Sequence, residues 1–377
     1  MKVVVIGGHL SPALSVIEKL PKTDRVLFIG RKYVFEGDKA LSLEYKTIQS
    51  LKIPFVNLTT GRFQRKFTEY TIPSLLKLPY GFMQAIFALI KFQPDVVLSF
   101  GGYLSFPVVL SAFLLRIPIV IHEQTLEAGL ANKILSIFAS KICISWETSR
   151  KFFPKDKVVL TGNPVRQFSI FNFSRATGSR FAGQFSIPEN GFPIIYITGG
   201  SSGSHFINTL IESNLTKILE KFNIIHQTGE SFKYEDFNRL EKIKALLPNE
   251  LQSRYTLTTF IDPSLVGGIL KKADIVISRS GMNTVTELIF FGVPSLLIPL
   301  PFSQRQEQLK NALFLRTKGC AEIFEQKDDR NIFLSKLFDM FENINKYKEN
   351  LRKISSLTNI DAAKKIIDVL EYAKKKK

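Results

Sequence analysis

Four turns carry the residues of this chain that could do chemistry: Gly7-Gly8-His9, Gly101-Gly102-Tyr103, the run from Gly199 to Ser204, and Ser278-Arg279-Ser280-Gly281. Each follows a short apolar run and precedes helical spacing, so each stands at a strand exit. Glycine there lets the backbone approach a phosphate closely, and the helix start beyond it offers N–H donors and the positive end of a dipole. Four such turns fit the holding of a phosphorylated ligand. His9 adds an imidazole to the first turn, followed by Ser11-Pro12 opening a helix; a group with an unperturbed pKa near neutrality can exchange protons there, and a structural reading stands equally beside that one. His122 and His226 close apolar strands and read as structural. Thr284 and Glu287 have capping-box spacing, with a ligand role for Glu287 as the alternative. Gln308 taken alone reads as a solvated helix residue.

Other chemistries are disfavoured. The first turn lacks G-x-G-x-x-G, and Ile29-Gly30-Arg31-Lys32 has no carboxylate for a dinucleotide ribose, so a nicotinamide cofactor is not expected. There is no G-x-x-x-x-G-K-[ST] phosphate loop and no D-x-D pair to hold a divalent ion on a nucleotide. The four histidines match no zinc spacing, and Cys143 and Cys320, the only cysteines, both lie in apolar runs. We expect no metal, no cofactor and a reducing compartment.

The elements that must position these turns are visible as alternation. In the first half, apolar runs (Lys2 to Gly7, Arg25 to Gly30, Phe55 to Leu58, Asp95 to Phe100, Ile117 to His122, Val158 to Leu160) alternate with helical patterns at Pro12 to Leu20, Ile72 to Phe92, Phe106 to Leu115 and Leu126 to Ala139. This is the pattern of a parallel sheet covered on both faces. Periodicity collapses from Gln167 to Phe192 and restarts with Ile194 to Thr198, Ser204 to Leu219, Asn223 to Gln227, Arg254 to Leu257, Ala273 to Ser278 and Ser295 to Ile298; after Cys320 the chain reads as helical. The expected architecture is two Rossmann-like α/β domains, 1–165 and 166–357, facing across a cleft, with a last helix at about 358–377 returning to the first domain.

Fifty-one Lys plus Arg against thirty-three Asp plus Glu give a net charge of +18, which calls for an anionic partner: nucleic acid, an acidic membrane surface or a phosphorylated substrate. From Arg62 to Phe92, cations (Arg62, Arg65, Lys66, Lys77, Lys91) are interleaved with Phe63, Phe67, Leu75, Leu76, Leu78, Tyr80, Phe82, Phe87 and Ile90, as an interfacial segment on anionic lipid requires; a core helix under a basic loop is the other reading. No apolar stretch reaches the roughly 18 residues of a spanning helix, because Phe106 to Ile121 is broken by Arg116 and Pro118.

Seven ordered motifs give these turns a family resemblance. They are Gly8-His9-x-x-Pro12-Ala13-Leu14, Gly101-Gly102-Tyr103-x-Ser105-x-Pro107, Ile121-His122-Glu123-Gln124 with Gly129 and Asn132, Gly162-Asn163-Pro164-Val165-Arg166, Gly199-Gly200-Ser201-x-Gly203, His226-Gln227-x-Gly229, and Ser278-Arg279-Ser280-Gly281 with Thr284 and Glu287. In this order the chain resembles the MurG family, which moves N-acetylglucosamine from UDP-GlcNAc onto undecaprenyl-pyrophosphoryl-MurNAc-pentapeptide in peptidoglycan synthesis. The resemblance implies a GT-B fold, metal-independent inverting transfer, no nucleic-acid partner, and a peripheral site at the cytoplasmic face of the cell membrane. It implies that uracil lies against the backbone at Ile261 and ribose at Glu287. Ser201 and the turn Met282-Asn283-Thr284-Val285-Thr286 would serve the diphosphate and sugar, completed by Arg166 and Gln308. Gly7, Gly8 and His9 would face the acceptor and the donor phosphates, with His9 as base and Glu123 behind it. Thr125 stands where the family has an Asn expected on the donor sugar, the first loop is about three residues shorter than G-G-T-G-G-H, and Glu307-Gln308 replaces a common His-Gln pair. Rival readings are a GT-B lipid glycosyltransferase with another sugar or acceptor, a UDP-sugar epimerase, and a non-catalytic nucleotide-sugar binder.

Overall fold

The computed structural model describes the chain apart from residues 34–40, 62–70, 166–189, 201, 230–233, 359–360 and 376–377. It divides into two units, Met1–Val165 with Asn359–Lys377, and Arg166–Thr358.

The first unit is built on seven parallel strands: β1 (Lys2–Ile6), β2 (Arg25–Gly30), β3 (Phe55–Asn57), β4 (Val96–Ser99), β5 (Ile119–Glu123), β6 (Lys141–Ile144) and β7 (Val158–Leu160). Their order is β3-β2-β1-β4-β5-β6-β7. Side chains of β1 alternate between two buried layers, Val4 and Ile6 on one face and Val3 and Val5 on the other. A strand covered on both faces must be apolar at every position, which is why β1 reads as an unbroken run. Helices Thr71–Phe92 and Ser105–Leu114 cover the first face; Leu10–Lys19 and the C-terminal helix Ala362–Lys375, through Ile366 and Leu370, cover the second.

The second unit has six parallel strands: β8 (Ile194–Thr198), β9 (Asn223–Gln227), β10 (Tyr255–Thr258), β11 (Ile275–Ser278), β12 (Ser295–Leu297) and β13 (Ala321–Ile323), in the order β10-β9-β8-β11-β12-β13. β13 corrects the helical reading after Cys320: its backbone pairs with β12, and Glu322 at its centre is held by the Tyr347 hydroxyl at 2.7 Å. Two helices are shorter than their patterns. Ser204 to Leu219 breaks at Ser213 and Asn214 into His205–Glu212 and Leu215–Leu219, and Leu126 to Ala139 contracts to Leu130–Leu135.

Strand order reverses between β1 and β4 in one unit and between β8 and β11 in the other. Connections leave in opposite directions at such a point, so a crevice opens at the carboxyl edge of each sheet. Register sets Ile6 beside Ser99 and Thr198 beside Ser278, so both glycine turns of each unit emerge as neighbours.

Candidate functional site

At the first crevice the turns touch. A Cβ on Gly8 would lie 2.4 Å from the carbonyl oxygen of Gly101, whose own φ of +83° favours glycine. Gly8 is exposed, but Gly7 is buried and its N–H donates to the Ile29 carbonyl at 2.8 Å. The space beside Gly7 is taken by Glu44, a residue the motifs did not reveal: a Cβ on Gly7 would fall 1.9 Å from Glu44 Oε1, and Oε2 accepts the Arg31 N–H at 3.1 Å. Burial raises the Glu44 pKa. Gly7 therefore makes room for the Glu44 carboxylate beside the first turn.

His9 caps the Leu10–Lys19 helix with extended backbone and no side-chain cap bond. Desolvation pushes its pKa down to about 4, so the near-neutral value expected of a turn residue is corrected and the imidazole is uncharged at physiological pH. His122, on β5, is also pushed to about 4 by burial, with His9 adding to the effect. Its Nε2 lies 3.2 Å from the Gly162 carbonyl, and its buried Nδ1 has no partner among the described residues.

Glu123 is occupied. Oε1 accepts the Thr125 N–H at 3.0 Å and lies 2.5 Å from the Thr125 hydroxyl; Oε2 accepts from Gly129 N–H at 2.9 Å and Asn132 Nδ2 at 3.0 Å. The carboxylate staples the loop ahead of Leu130–Leu135, which shortens that helix. The Thr125 hydroxyl lies between Glu123 and the Glu127 carbonyl, so the loop itself uses the hydroxyl.

At the second crevice the Met282–Phe291 helix starts two residues before Thr284. Gly281 is its N-cap at φ −64°, ψ 148°, and the Val285 N–H reaches the Gly281 carbonyl at 3.0 Å. The capping-box reading of Thr284 and Glu287 is thus corrected, and no side chain caps this helix start. Met282, Val285 and Thr286 are buried, the Thr286 hydroxyl donating to the Met282 carbonyl at 2.8 Å. Asn283, Thr284 and Glu287 are part-exposed and share one helical face. The Glu287 charge reaches Tyr196, where it adds to the upward shift that burial gives the phenol. Ile261 lies beyond β10 with its side chain buried, leaving only backbone to offer a base. Gln308 spends its amide oxygen on the Leu300 N–H at 2.9 Å, and its carbonyl accepts the Ser280 hydroxyl at 2.7 Å, which ties the β12 exit to the β11 turn. Arg166 and Ser201 lie outside the described residues. The remaining expected donor residues sit at strand exits of this one sheet edge.

Comparison with known proteins places both units. Residues 6–144 match the glycosyltransferase family 28 N-terminal domain and residues 194–369 the family 28 C-terminal domain. Among solved structures the chain is similar to Acinetobacter baumannii MurG, with a TM-score of 0.67 at 24% identity, covering 99% of this chain and 100% of that one. It is also similar to Neisseria meningitidis UDP-GlcNAc 2-epimerase bound to UDP-GlcNAc, with a TM-score of 0.66 at 18% identity, covering 99% of this chain and 100% of that one. Two parallel-sheet units with these domains define a glycosyltransferase of GT-B fold. The Clostridium tetani enzyme named UDP-N-acetylglucosamine–N-acetylmuramyl-(pentapeptide) pyrophosphoryl-undecaprenol N-acetylglucosamine transferase is 31% identical over 98% of this chain and 97% of its own. Its Clostridium kluyveri namesake is 32% identical over 99% of both. The chain belongs to this transferase family, the MurG family.

Proposed function

We infer that this protein transfers N-acetylglucosamine from UDP-GlcNAc to the 4-hydroxyl of lipid-linked N-acetylmuramoyl-pentapeptide. The observation that carries this reading is identity with enzymes of that name along the whole chain, both domains included. The site supports it: a helix start without a side-chain cap, beside the Gly199 to Ser204 turn, favours negative charge where a diphosphate leaving group would develop it. Inverting transfer is a single displacement through an oxocarbenium-like state, so one group must take the acceptor proton while the UDP oxygens are stabilised. His9 is the proton acceptor in this scheme: it is neutral, at the mouth of the first sheet, and carries no cap bond that would occupy it. Arg166, Ser201, Ile261, Asn283, Thr284, Glu287 and Gln308 form the donor side, with Glu287 on the ribose. UDP-GlcNAc labelled in its sugar, incubated with the lipid acceptor, tests the reading: label should move to the lipid, whereas epimerised nucleotide or binding without turnover would refute it.

The acceptor also accounts for an exposed apolar face. On Thr71–Phe92, Leu76, Tyr80, Met83, Phe87 and Ile90 recur at heptad-like spacing on the solvent side. Phe113 and Leu114 on the adjoining helix, with Ile134 and Ile137 beyond it, extend the face, and Lys91 and Arg116 are exposed cations of the same helix pair and its exit. Arg62, Arg65 and Lys66 lie outside the described residues. No helix among the described residues is long and apolar enough to cross a membrane. Exposed apolar side chains with cations beside them suit peripheral docking on anionic lipid at the cytoplasmic face, where a nucleotide sugar and a lipid-anchored acceptor can meet.

A further inference from the structure

Arg279 lies in the β11 turn and is absent from the donor residues above, yet its guanidinium reaches the exits of several strands. Nη1 donates to the carbonyls of Ile298 at 3.0 Å and Pro299 at 3.2 Å, beyond β12. Nη2 donates to Ser204 Oγ at 2.7 Å, at the start of the helix that follows β8. With its amide turned so that oxygen instead of nitrogen faces the guanidinium, Gln326, beyond β13, accepts from both nitrogens at 2.8 Å. One side chain thus ties together the carboxyl ends of β8, β11, β12 and β13, four consecutive strands of the sheet, and spans the switch point between β8 and β11.

Two features go beyond a structural clasp. All the acceptors are neutral oxygens, and no carboxylate pairs with Arg279 among the described residues. Its pKa is pushed down to about 10 by desolvation alone, still far above physiological pH, so the group stays charged and uncompensated. A part-buried cation is costly unless a counter-charge completes it. Ser204 Oγ, moreover, accepts from both Arg279 and the Ile207 N–H at 3.3 Å. With both lone pairs filled, its hydroxyl hydrogen turns away from them and has no acceptor among the described residues.

We propose that Arg279 is a positioning residue of the donor site: it aligns the turns on either side of the switch point, orients the Ser204 hydroxyl outward as a donor, and supplies the unpaired positive charge that a nucleoside diphosphate completes. This rests on the donor reading above and adds a residue and a source of charge to it.

Gln326→Glu is the discriminating variant, because it keeps an acceptor oxygen on both nitrogens and places a counter-charge there. A clasp would be strengthened by an Arg–carboxylate pair, whereas an anion site would be filled. Titration calorimetry with uridine and with UDP separates the two, the first ligand lacking the diphosphate. We expect an unchanged or higher melting temperature, uridine affinity within about twofold, and UDP affinity lower by about tenfold. Arg279→Lys, which cannot reproduce the planar fork, should also lose UDP affinity selectively. Unchanged UDP affinity in both variants overturns the proposal and leaves the donor reading intact. A wild-type protein that takes up neither uridine nor UDP removes the donor reading and this proposal together.

Discussion

Acid should destabilise this protein through histidines that fold in the neutral form. His226 closes β9 with no exposed surface. Asn208 Oδ1, 3.1 Å from Nε2, can only accept, so Nε2 carries the proton and Nδ1 accepts from the Tyr255 hydroxyl at 2.9 Å. Protonating Nδ1 would break that bond and bury a cation, and burial accordingly pushes the pKa from 6.5 to about 3. Below pH 6.5 the unfolded chain binds a proton that the native state refuses, so stability falls with pH until the native value is reached. Between about pH 7.5 and about pH 5 the loss works out at about 2 kcal/mol, and it hardly depends on the native pKa so long as that lies well below 5. His122, held at about 4, follows the same arithmetic and contributes about 2 kcal/mol more over that interval. Urea unfolding of the wild type and His226→Gln at both pH values isolates one share. The variant should be the less stable protein at neutral pH, and its further loss on acidification should be smaller by about 2 kcal/mol. Equal acid losses in the two proteins would refute the reasoning.

Other consequences are equally open to measurement. His9→Ala should lower turnover by about 10²-fold or more with UDP affinity kept, and the acid limb of kcat/KM in the wild type should fall near pH 4 instead of 6.5. Glu123→Gln replaces an acceptor oxygen facing backbone N–H donors and should cost about 2 kcal/mol in urea unfolding; undiminished stability would show that the staple is unimportant. Glu287→Ala should weaken UDP-GlcNAc binding by roughly tenfold if the carboxylate holds the ribose hydroxyls, as titration calorimetry would report. Phe87→Glu, at a side chain 64% exposed, should reduce sedimentation with anionic vesicles at low salt without altering the melting temperature.

The fold was legible where burial leaves a mark on every residue. β1, β4 and β8 are covered on both faces, so their runs are continuously apolar and their ends fall at glycines. β13 left no such mark, being three residues long with Glu322 at its centre. The start of the helix at Met282 was misplaced because Thr284 and Glu287 have capping spacing, while the true cap, Gly281, contributes only its backbone. Candidate residues could be named from motifs, but their environments could not. The low pKa of His9 comes from packing around the turn, and the bonds of Glu123 depend on how the next loop closes over it. Glu44 and Arg279 act through neighbours in space: Gly7 lies 37 positions before Glu44, and Ser204 lies 75 before Arg279, separations at which spacing carries no signal.

The central claim is that a UDP-linked sugar leaves this protein on a lipid acceptor. The most direct measurement supplies UDP-GlcNAc labelled in the sugar together with lipid-linked N-acetylmuramoyl-pentapeptide and follows the label by phase partition. Label should appear in the lipid phase in step with release of UDP, and both should be lost in His9→Ala. Label that stays on nucleotide in the wild type, whether epimerised or unchanged, would contradict the account.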